Sequence, residues 1–453
     1  MFNFNNKNND SFSGQHNANT SFFGGNRNNN NFSQDGGFNP NIKFSNVTNI
    51  PQYVPQFTNN FVEDNLTLQK VLDSFLDDDK VFIMCEYQKE YSYNEKLSTL
   101  QIANGNKYYS IDMMSEYIDE NAIRNFLMYN KIKKVVYNAE KFLSTIYQRY
   151  KKLPQNVFDI TTAAMLCGID KKLQFREMLI TTLGKNYKIK DPIKINYKQR
   201  PLNARAIDRS ILNVIHLEDL YNFMYNELKI FNRFWIHDEI VAEMLDEDKY
   251  TKSIEESWTQ IKFHTSKMDV VRRIKKLSEW RELTAKKMNL HSQLLMTDKV
   301  LLDVAERNPT CYEELTEIKN LNKTLLRPVH TKRIISAITA AQKLILEQTD
   351  IEAHIDELPA KYIPLADMFK ILLRMKAKEH KIAPKLIASS ADLAIIASSK
   401  DSKVKCLEGW RFEIFGQEAI KMKEGKIMLV YENNNLTIFN LEESINSLKQ
   451  NVV

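Results

Sequence analysis

Between Lys262 and Lys287 the chain carries nine Lys or Arg residues against three acids, with Trp280 inside the run. Basic side chains on a helical segment suit contact with a phosphodiester backbone, because each phosphate neutralised releases condensed counterions. Arg272, Arg273, Lys275, Lys276 and Arg281 are therefore the candidate nucleic-acid-binding residues. The competing reading is a solvated helix face, the usual fate of a charge run. Trp258 and Trp280, each with neighbours at helical spacing, read as core and not as platforms for stacked bases. A second candidate is acidic. Glu86 stands at the end of the apolar run "KVFIMCEY", where a carboxylate is costly if it is buried without a partner. Cys85, Cys167, Cys311 and Cys406 are widely scattered, with no CxxC and no Cys/His cluster of zinc-site spacing, so they read as reduced thiols of an intracellular protein.

These residues need elements to position them. The first 40 residues hold 13 Asn and 7 Phe, a composition too poor in buriable surface to offset chain entropy, so residues 1–50 are expected to form a disordered tail. The tail lacks the apolar core of a secretion signal and the Arg-rich pattern of a transit peptide. From Asn65 the pattern turns globular. "LTLQKVLDSFL" has helical spacing, "KVFIMCEY" reads as a buried strand, and "STLQIAN" and "KYYSIDM" form a hairpin across Asn104-Gly105. "NAIRNFLMYN", "KKVVYN", "AEKFLSTIYQRY" and "FDITTAAMLCG" continue the alternation, the mark of an α/β sheet covered on its faces. After about Phe231 the strand signal stops, and the remainder reads as a separate all-α region with "DELPAKYIP" as a linker inside it. No stretch approaches the ~20 apolar residues of a membrane span. The net charge of +6 in 453 residues suits a nucleic-acid partner without requiring one.

The order of these segments resembles the ribonuclease D family, in its alphaproteobacterial versions, from about Pro51 to Met428. Four collinear stretches carry the resemblance: "RPLNARAID" from Arg200, "SEWRELTAKKMNL" from Ser278, "KAKEHKIAPKLIASSAD" from Lys376 and "GWRFEIFGQEAIKMKEGKI" from Gly409. It implies a 3′-to-5′ exonuclease domain with a ribonuclease H-like mixed sheet over 51–230, then two HRDC-type helical modules over 231–350 and 351–453. It further implies four carboxylates around two divalent metals, one activating water and the other stabilising the leaving oxygen. Magnesium takes oxygen ligands in near-octahedral geometry, so Asp and Glu are hard to replace.

Carried over position by position, that set is mostly missing. The first motif, Asp-x-Glu, falls on Met84-Cys85-Glu86, so Met84 stands for the Asp and Glu86 remains. The second motif's Asp falls on Phe142, with Glu140 nearby as a weak substitute. The third, Tyr-x-x-x-Asp, falls on Arg209 and Asn213. No catalytic residue is assigned; Met84 and Phe142 are expected in the core, and Glu86 is expected to pair with Arg209 where metal would sit. Asp159 matches a family position outside the metal set, and its expected role is structural. In the first helical module Asn320 and Asn322 stand where glycines commonly form a tight turn, and Asn tolerates the left-handed backbone such a turn needs. In the second, Pro384-Lys385 and Ser389-Ser390 before Asp392 signal two helix starts.

The preferred reading is a catalytically inactive RNA-binding or scaffolding protein with no cofactor, a pseudo-exonuclease. Its rival is an active exoribonuclease trimming RNA such as tRNA precursors with Mg²⁺ or Mn²⁺, held through Glu86 if at all. A third reading is a structural subunit of a larger assembly. Expected partners are RNA and, through the helical modules, proteins, with no membrane. The expected location is the cytoplasm, with an organelle such as the mitochondrion as the alternative.

Overall fold

The structure, a computed structural model, describes residues 54–88, 92–169, 173–184, 195–251, 253–263, 265, 267–346, 358–399 and 403–441. The expected disordered tail, 1–50, lies outside the described residues, as do Asp356 and Glu357 of the linker stretch.

Six strands form one mixed sheet: β1 (Phe61–Val62), β2 (Lys80–Tyr87), β3 (Leu97–Asn104), β4 (Lys107–Asp112), β5 (Lys133–Val136) and β6 (Val157–Asp159), in the order β1-β4-β3-β2-β5-β6. β2, β3 and β4 run antiparallel to their neighbours in that meander, whereas β5 pairs parallel to β2, β6 parallel to β5 and β1 parallel to β4. Gly105 turns the β3–β4 hairpin in the left-handed region, φ +57°. One face is covered by α1 (Asn65–Asp73), α2 (Glu120–Met128) and α3 (Ala139–Tyr150), whose Leu68, Phe126 and Leu143 share a core with Val81, Ile83 and Val136. The other face receives α4 (Ile160–Leu166), α5 (Phe175–Leu183) and the 27-residue α6 (Ala204–Ile230), which lies over β2, β3 and β4. Alternation along β2 sends Val81 and Ile83 to the first core and Phe82 and Met84 to the second.

α7 (Phe234–Met244) packs Ile236 and Ile240 into the core beneath α6. The first module comprises α8 (Met268–Met288), α9 (Ser292–Leu295), α10 (Asp298–Arg307), α11 (Tyr312–Thr316) and α12 (Pro328–Ala341). Its own core contains Trp258, Trp280, Ile274, Leu301 and Ile334. Both tryptophans are thus core. Asn320 adopts φ +63°, and Asn322 caps the turn Lys323–Leu326 by accepting from Thr324 N at 3.0 Å.

The second module, α13 (Ile363–His380), α14 (Pro384–Ile387) and α15 (Ser390–Ser398) with the helical run 409–423, has no core apart from the sheet. Its Phe369, Leu372, Ile396 and Phe415 lie in one cluster with Phe82 and Phe158 of the sheet and Val214 and Leu217 of α6. Polar groups stitch the joint. Ala383 N donates to Met165 O at 2.8 Å, and Arg233 donates to Leu166 O, His380 O and Lys381 O, closing two helix C-termini with one guanidinium. Ser389 and Asp392 form the capping box of α15. Pro359 and Pro364 of the expected linker instead open a short turn and α13. The region is also not all-α. β7 (Ile427–Glu432) and β8 (Asn435–Asn440) form a hairpin across Asn433 and Asn434, both left-handed as a two-residue turn of this kind requires.

Candidate functional site

Glu86 ends the α6-facing side of β2, one strand alternation beyond Met84 and just before a register shift in the β2–β3 ladder. Asn213, from α6, donates its Nδ2 to Glu86 Oε1 at 3.2 Å. Arg209, one turn earlier on α6, and the Tyr197 hydroxyl complete the surroundings of the carboxyl. Burial pushes the Glu86 carboxyl above the usual carboxylate range; the charge of Arg209 opposes this first, followed by the Asn213 amide and the Tyr197 hydroxyl. The expected ion pair is not a direct one: Arg209 and Glu86 do not approach within 4.0 Å, and Arg209 acts through its field. The bonding partner is Asn213. A partly buried carboxyl of raised pKa is well satisfied by a neutral amide that costs little to desolvate, whereas a guanidinium drawn into contact would lose its hydration.

Met84 is half-buried against the core beneath α6. Phe142 is 3% exposed and packs with Ile83, Val136 and Leu143 under the opposite face. Burying such a ring contributes roughly 2 kcal/mol, so its position has become part of the core. Glu140 offers no substitute: it is exposed, and its charge is felt by Tyr250. Lys141 bonds Glu95 Oε2 at 2.7 Å, lies 4.0 Å over the Tyr87 ring and adds a second positive field at Glu86.

Asp159 has the structural role expected of it. Its Oδ1 accepts from Ala139 N at 3.0 Å and Thr161 N at 3.2 Å, and its Oδ2 accepts from Thr162 N at 3.0 Å. One buried carboxylate thereby caps the starts of α3 and α4 together.

Sequence reasoning missed Tyr197 and the clamp that places it. Arg200 holds Asp112 with Nε to Oδ2 at 2.7 Å and Nη2 to Oδ1 at 2.6 Å, and also reaches Tyr197 O at 3.0 Å and Ser98 O at 3.2 Å. Ser98 Oγ donates back to Tyr197 O at 2.6 Å. This fixes the segment entering α6, with a cis Arg200–Pro201 bond, and puts the Tyr197 ring beside Glu86. Its buried hydroxyl closes no hydrogen bond of normal geometry. The signal was present, since Tyr197 lies only three residues ahead of the "RPLNARAID" stretch.

The two divalent metals implied by the resemblance do not fit these residues. The matched positions supply one carboxylate, one amide, one guanidinium, a thioether and a phenyl ring. Among the described residues no group of three or more His, Cys, Asp or Glu could hold an ion.

The five candidate nucleic-acid-binding residues of α8 are all engaged within the molecule. Arg272 bonds Asp269 at 3.0 Å, Arg273 donates to Ala305 O at 2.6 Å, and Lys276 bonds Glu279 at 2.7 Å. Lys275 lies 5.3 Å over the Trp258 ring. Arg281 is a correction: at 4% exposure it is buried, donating to Asp298 Oδ1 at 2.6 Å and Met296 O at 3.1 Å, and it holds α8 to the start of α10 with no surface left for a phosphate. No helix among the described residues is long and apolar enough to cross a membrane.

Residues 59–229 match the family model described as 3′-5′ exonuclease, and residues 271–338 match that of the HRDC domain. The chain is 28% identical over 391 residues to ribonuclease D of Zymomonas mobilis, covering 84% of this chain and 98% of that protein. It is 28% identical over 381 residues to ribonuclease D of Bartonella henselae, covering 82% and 91%. Among solved structures its fold resembles Escherichia coli RNase D, an exoribonuclease involved in structured RNA processing, with TM-score 0.65 and 17% identity over 81% of this chain and 98% of that one. With a mixed sheet and helical half of this order, the chain carries a 3′-5′ exonuclease domain followed by an HRDC domain and is similar to ribonucleases D over most of its length.

Proposed function

We propose that this chain is a pseudo-exonuclease: a ribonuclease D-family protein that binds RNA or serves as a scaffold without cutting it. One observation carries the reading. The carboxylate left at the matched positions, Glu86, is half-buried, pushed toward its neutral form, bonded by an amide and faced by a guanidinium. Two dications need about four carboxylates to offset their charge. Here the matched positions offer one carboxyl against one guanidinium, so no net negative charge remains, and Mg²⁺, which dehydrates reluctantly, gains little from one carboxyl. Without a metal, nothing at this corner lowers the pKa of an attacking water.

The rival reading, an active 3′-to-5′ exoribonuclease acting on RNA such as tRNA precursors, is favoured by the family itself, whose named relatives are ribonucleases D. The test is incubation of the purified chain with 3′-labelled single-stranded RNA and Mg²⁺ or Mn²⁺, beside Glu86→Ala. No 3′ trimming by either protein, together with salt-sensitive retention of RNA, is the expected result. Metal-dependent trimming that disappears in Glu86→Ala overturns it. Absence of both trimming and RNA retention leaves a structural subunit as the role.

A further inference from the structure

From Lys319 to Leu346 the chain has six bases, Lys319, Lys323, Arg327, Lys332, Arg333 and Lys343, and no Asp or Glu. All six are exposed. None makes a salt bridge with a described residue, in contrast to Arg272, Arg273, Lys275, Lys276 and Arg281 of α8, each of which is drawn into the module's own bonding. Their placement is fixed by local geometry. The left-handed Asn320 and the cap by Asn322 set the turn bearing Lys319 and Lys323. Pro328 opens α12 directly after Arg327. α12 buries Thr331, Ile334, Ile338 and Ala341, which leaves Lys332 and Arg333 on its outer side, with Lys343 just past its end. The start of α12 has no acid in its first turn and no side-chain cap, so the positive end of the helix adds to the same field.

From this arrangement we infer that the surface formed by the Asn320 turn and α12, and not α8, is where the HRDC domain takes the phosphodiester backbone of single-stranded RNA. The inference rests on the RNA-binding reading above and gives it a location. Phosphate contact needs mobile cations with few competing carboxylates; Lys323, Arg327, Lys332 and Arg333 supply them, whereas Lys319 shares a cavity with Asp298, Asp303 and Glu306. A protein partner fits less well, because protein interfaces are centred on apolar and aromatic side chains and are depleted in Lys. The large apolar side chains strongly exposed here, Val329 at 59% and Ile345 at 89%, stand sixteen residues apart at either end of α12.

The experiment measures binding of a fluorescein-labelled oligouridylate to the full chain, in chelator, across a salt series. The test variant is Lys323→Gln/Arg327→Gln/Lys332→Gln/Arg333→Gln; the control is Arg272→Gln/Arg273→Gln/Lys275→Gln/Lys276→Gln. The test variant should bind at least about tenfold more weakly at ~0.1 M salt, and its log affinity should depend on log salt with a slope smaller by about 3, near 0.7 per lost phosphate contact. Its melting temperature should stay at the wild-type value, since the four side chains are exposed and unpaired. The control should retain its affinity. Wild-type affinity in the test variant, with salt-sensitive binding by the wild type, overturns this location and leaves the RNA reading intact. No salt-sensitive binding by the wild type overturns both. A wild type that holds polyglutamate of equal charge as tightly as the oligouridylate overturns RNA as the partner.

Discussion

On the approach to α6 and in its first turns, side chains have their bonding capacity almost fully used: Arg200 grips Asp112 through Nε and Nη2, reaches Ser98 O and Oγ through the same Nη2 and Tyr197 O and Gln199 O through Nη1, and Asp208 accepts from Gln56 N and Phe57 N at 2.9 Å each. Next to Asp208 on the same helix, Arg209 makes no direct ion pair with the carboxylate it faces; Asn213, one turn later, makes one hydrogen bond at 3.2 Å, and the hydroxyl of Tyr197 beside them closes none of normal geometry. The frame of an exonuclease corner is therefore held by contacts that do not involve metal. A chain can change the residues at the centre of such a corner and keep the helix, the strand end and the entering loop in place, because their free energy is stored elsewhere. On the pseudo-exonuclease reading proposed above, fold and activity would separate between neighbouring residues of one helix.

The sharpest way to break this comparison is to restore a carboxylate where the centre has become core. Phe142→Asp removes a ring from a closed cluster and places a charge there, which should cost about 4 kcal/mol. Urea unfolding would show it as a lower midpoint at constant m-value. Mg²⁺ should not recover the loss, because Glu86 is held by the Asn213 amide under the field of Arg209, and no group of three or more ligating side chains lies among the described residues. Recovery by Mg²⁺ would mean that the corner still assembles as a metal site.

Next in size is the frame. Arg200→Ala leaves Asp112, whose side chain is 3% exposed, buried without its cation. Removing one member of such a pair costs about 3 kcal/mol. The loss should appear as a lower unfolding midpoint, accompanied by faster proteolysis of the 195–203 segment as its anchor goes. A loss under ~1 kcal/mol would show that the frame does not depend on this clamp and would remove the contrast with Arg209.

What was legible in the sequence follows the same division. Local devices read through directly: the apolar run of β2, the Asn104-Gly105 turn, the Ser389–Asp392 helix start and the left-handed Asn320 all depend on neighbours within a few residues. Partnerships that close over long separations did not. Arg281 looked like a surface base because Asp298 and Met296 meet it only after a turn of chain has folded back. Tyr197 became visible as a site residue only once Arg200 was seen to reach Asp112, 88 residues away. The closing hairpin had a local signal, alternating apolar residues around Asn433-Asn434, but its strands lie mostly beyond the stretch that resembles the family. The acid-free run after Lys319 was equally open to reading; a count of bases favoured α8, whereas the absence of carboxylates is what leaves cations available.

The smallest expected effect bears on the centre itself. Burial raises the Glu86 carboxyl above its unfolded value, near 4.3 for a free Glu. Between the unfolded and folded values, the folded chain holds a proton that the unfolded chain has released, so stability falls as pH rises through that window. Glu86→Gln has no such proton to lose and can still accept the Asn213 amide through its own Oε1. The two proteins should thus unfold alike near pH 4, and the Gln variant should become the more stable toward neutrality, by on the order of 1 kcal/mol. Urea midpoints taken across that range measure the divergence. The opposite outcome at neutral pH, a less stable Gln variant beside a wild type that Mg²⁺ stabilises, would mean that the carboxylate is charged and serving as a ligand. In that case Arg209, which faces it without touching, would be compensating for charge at a working site, and not filling a place that metal has left.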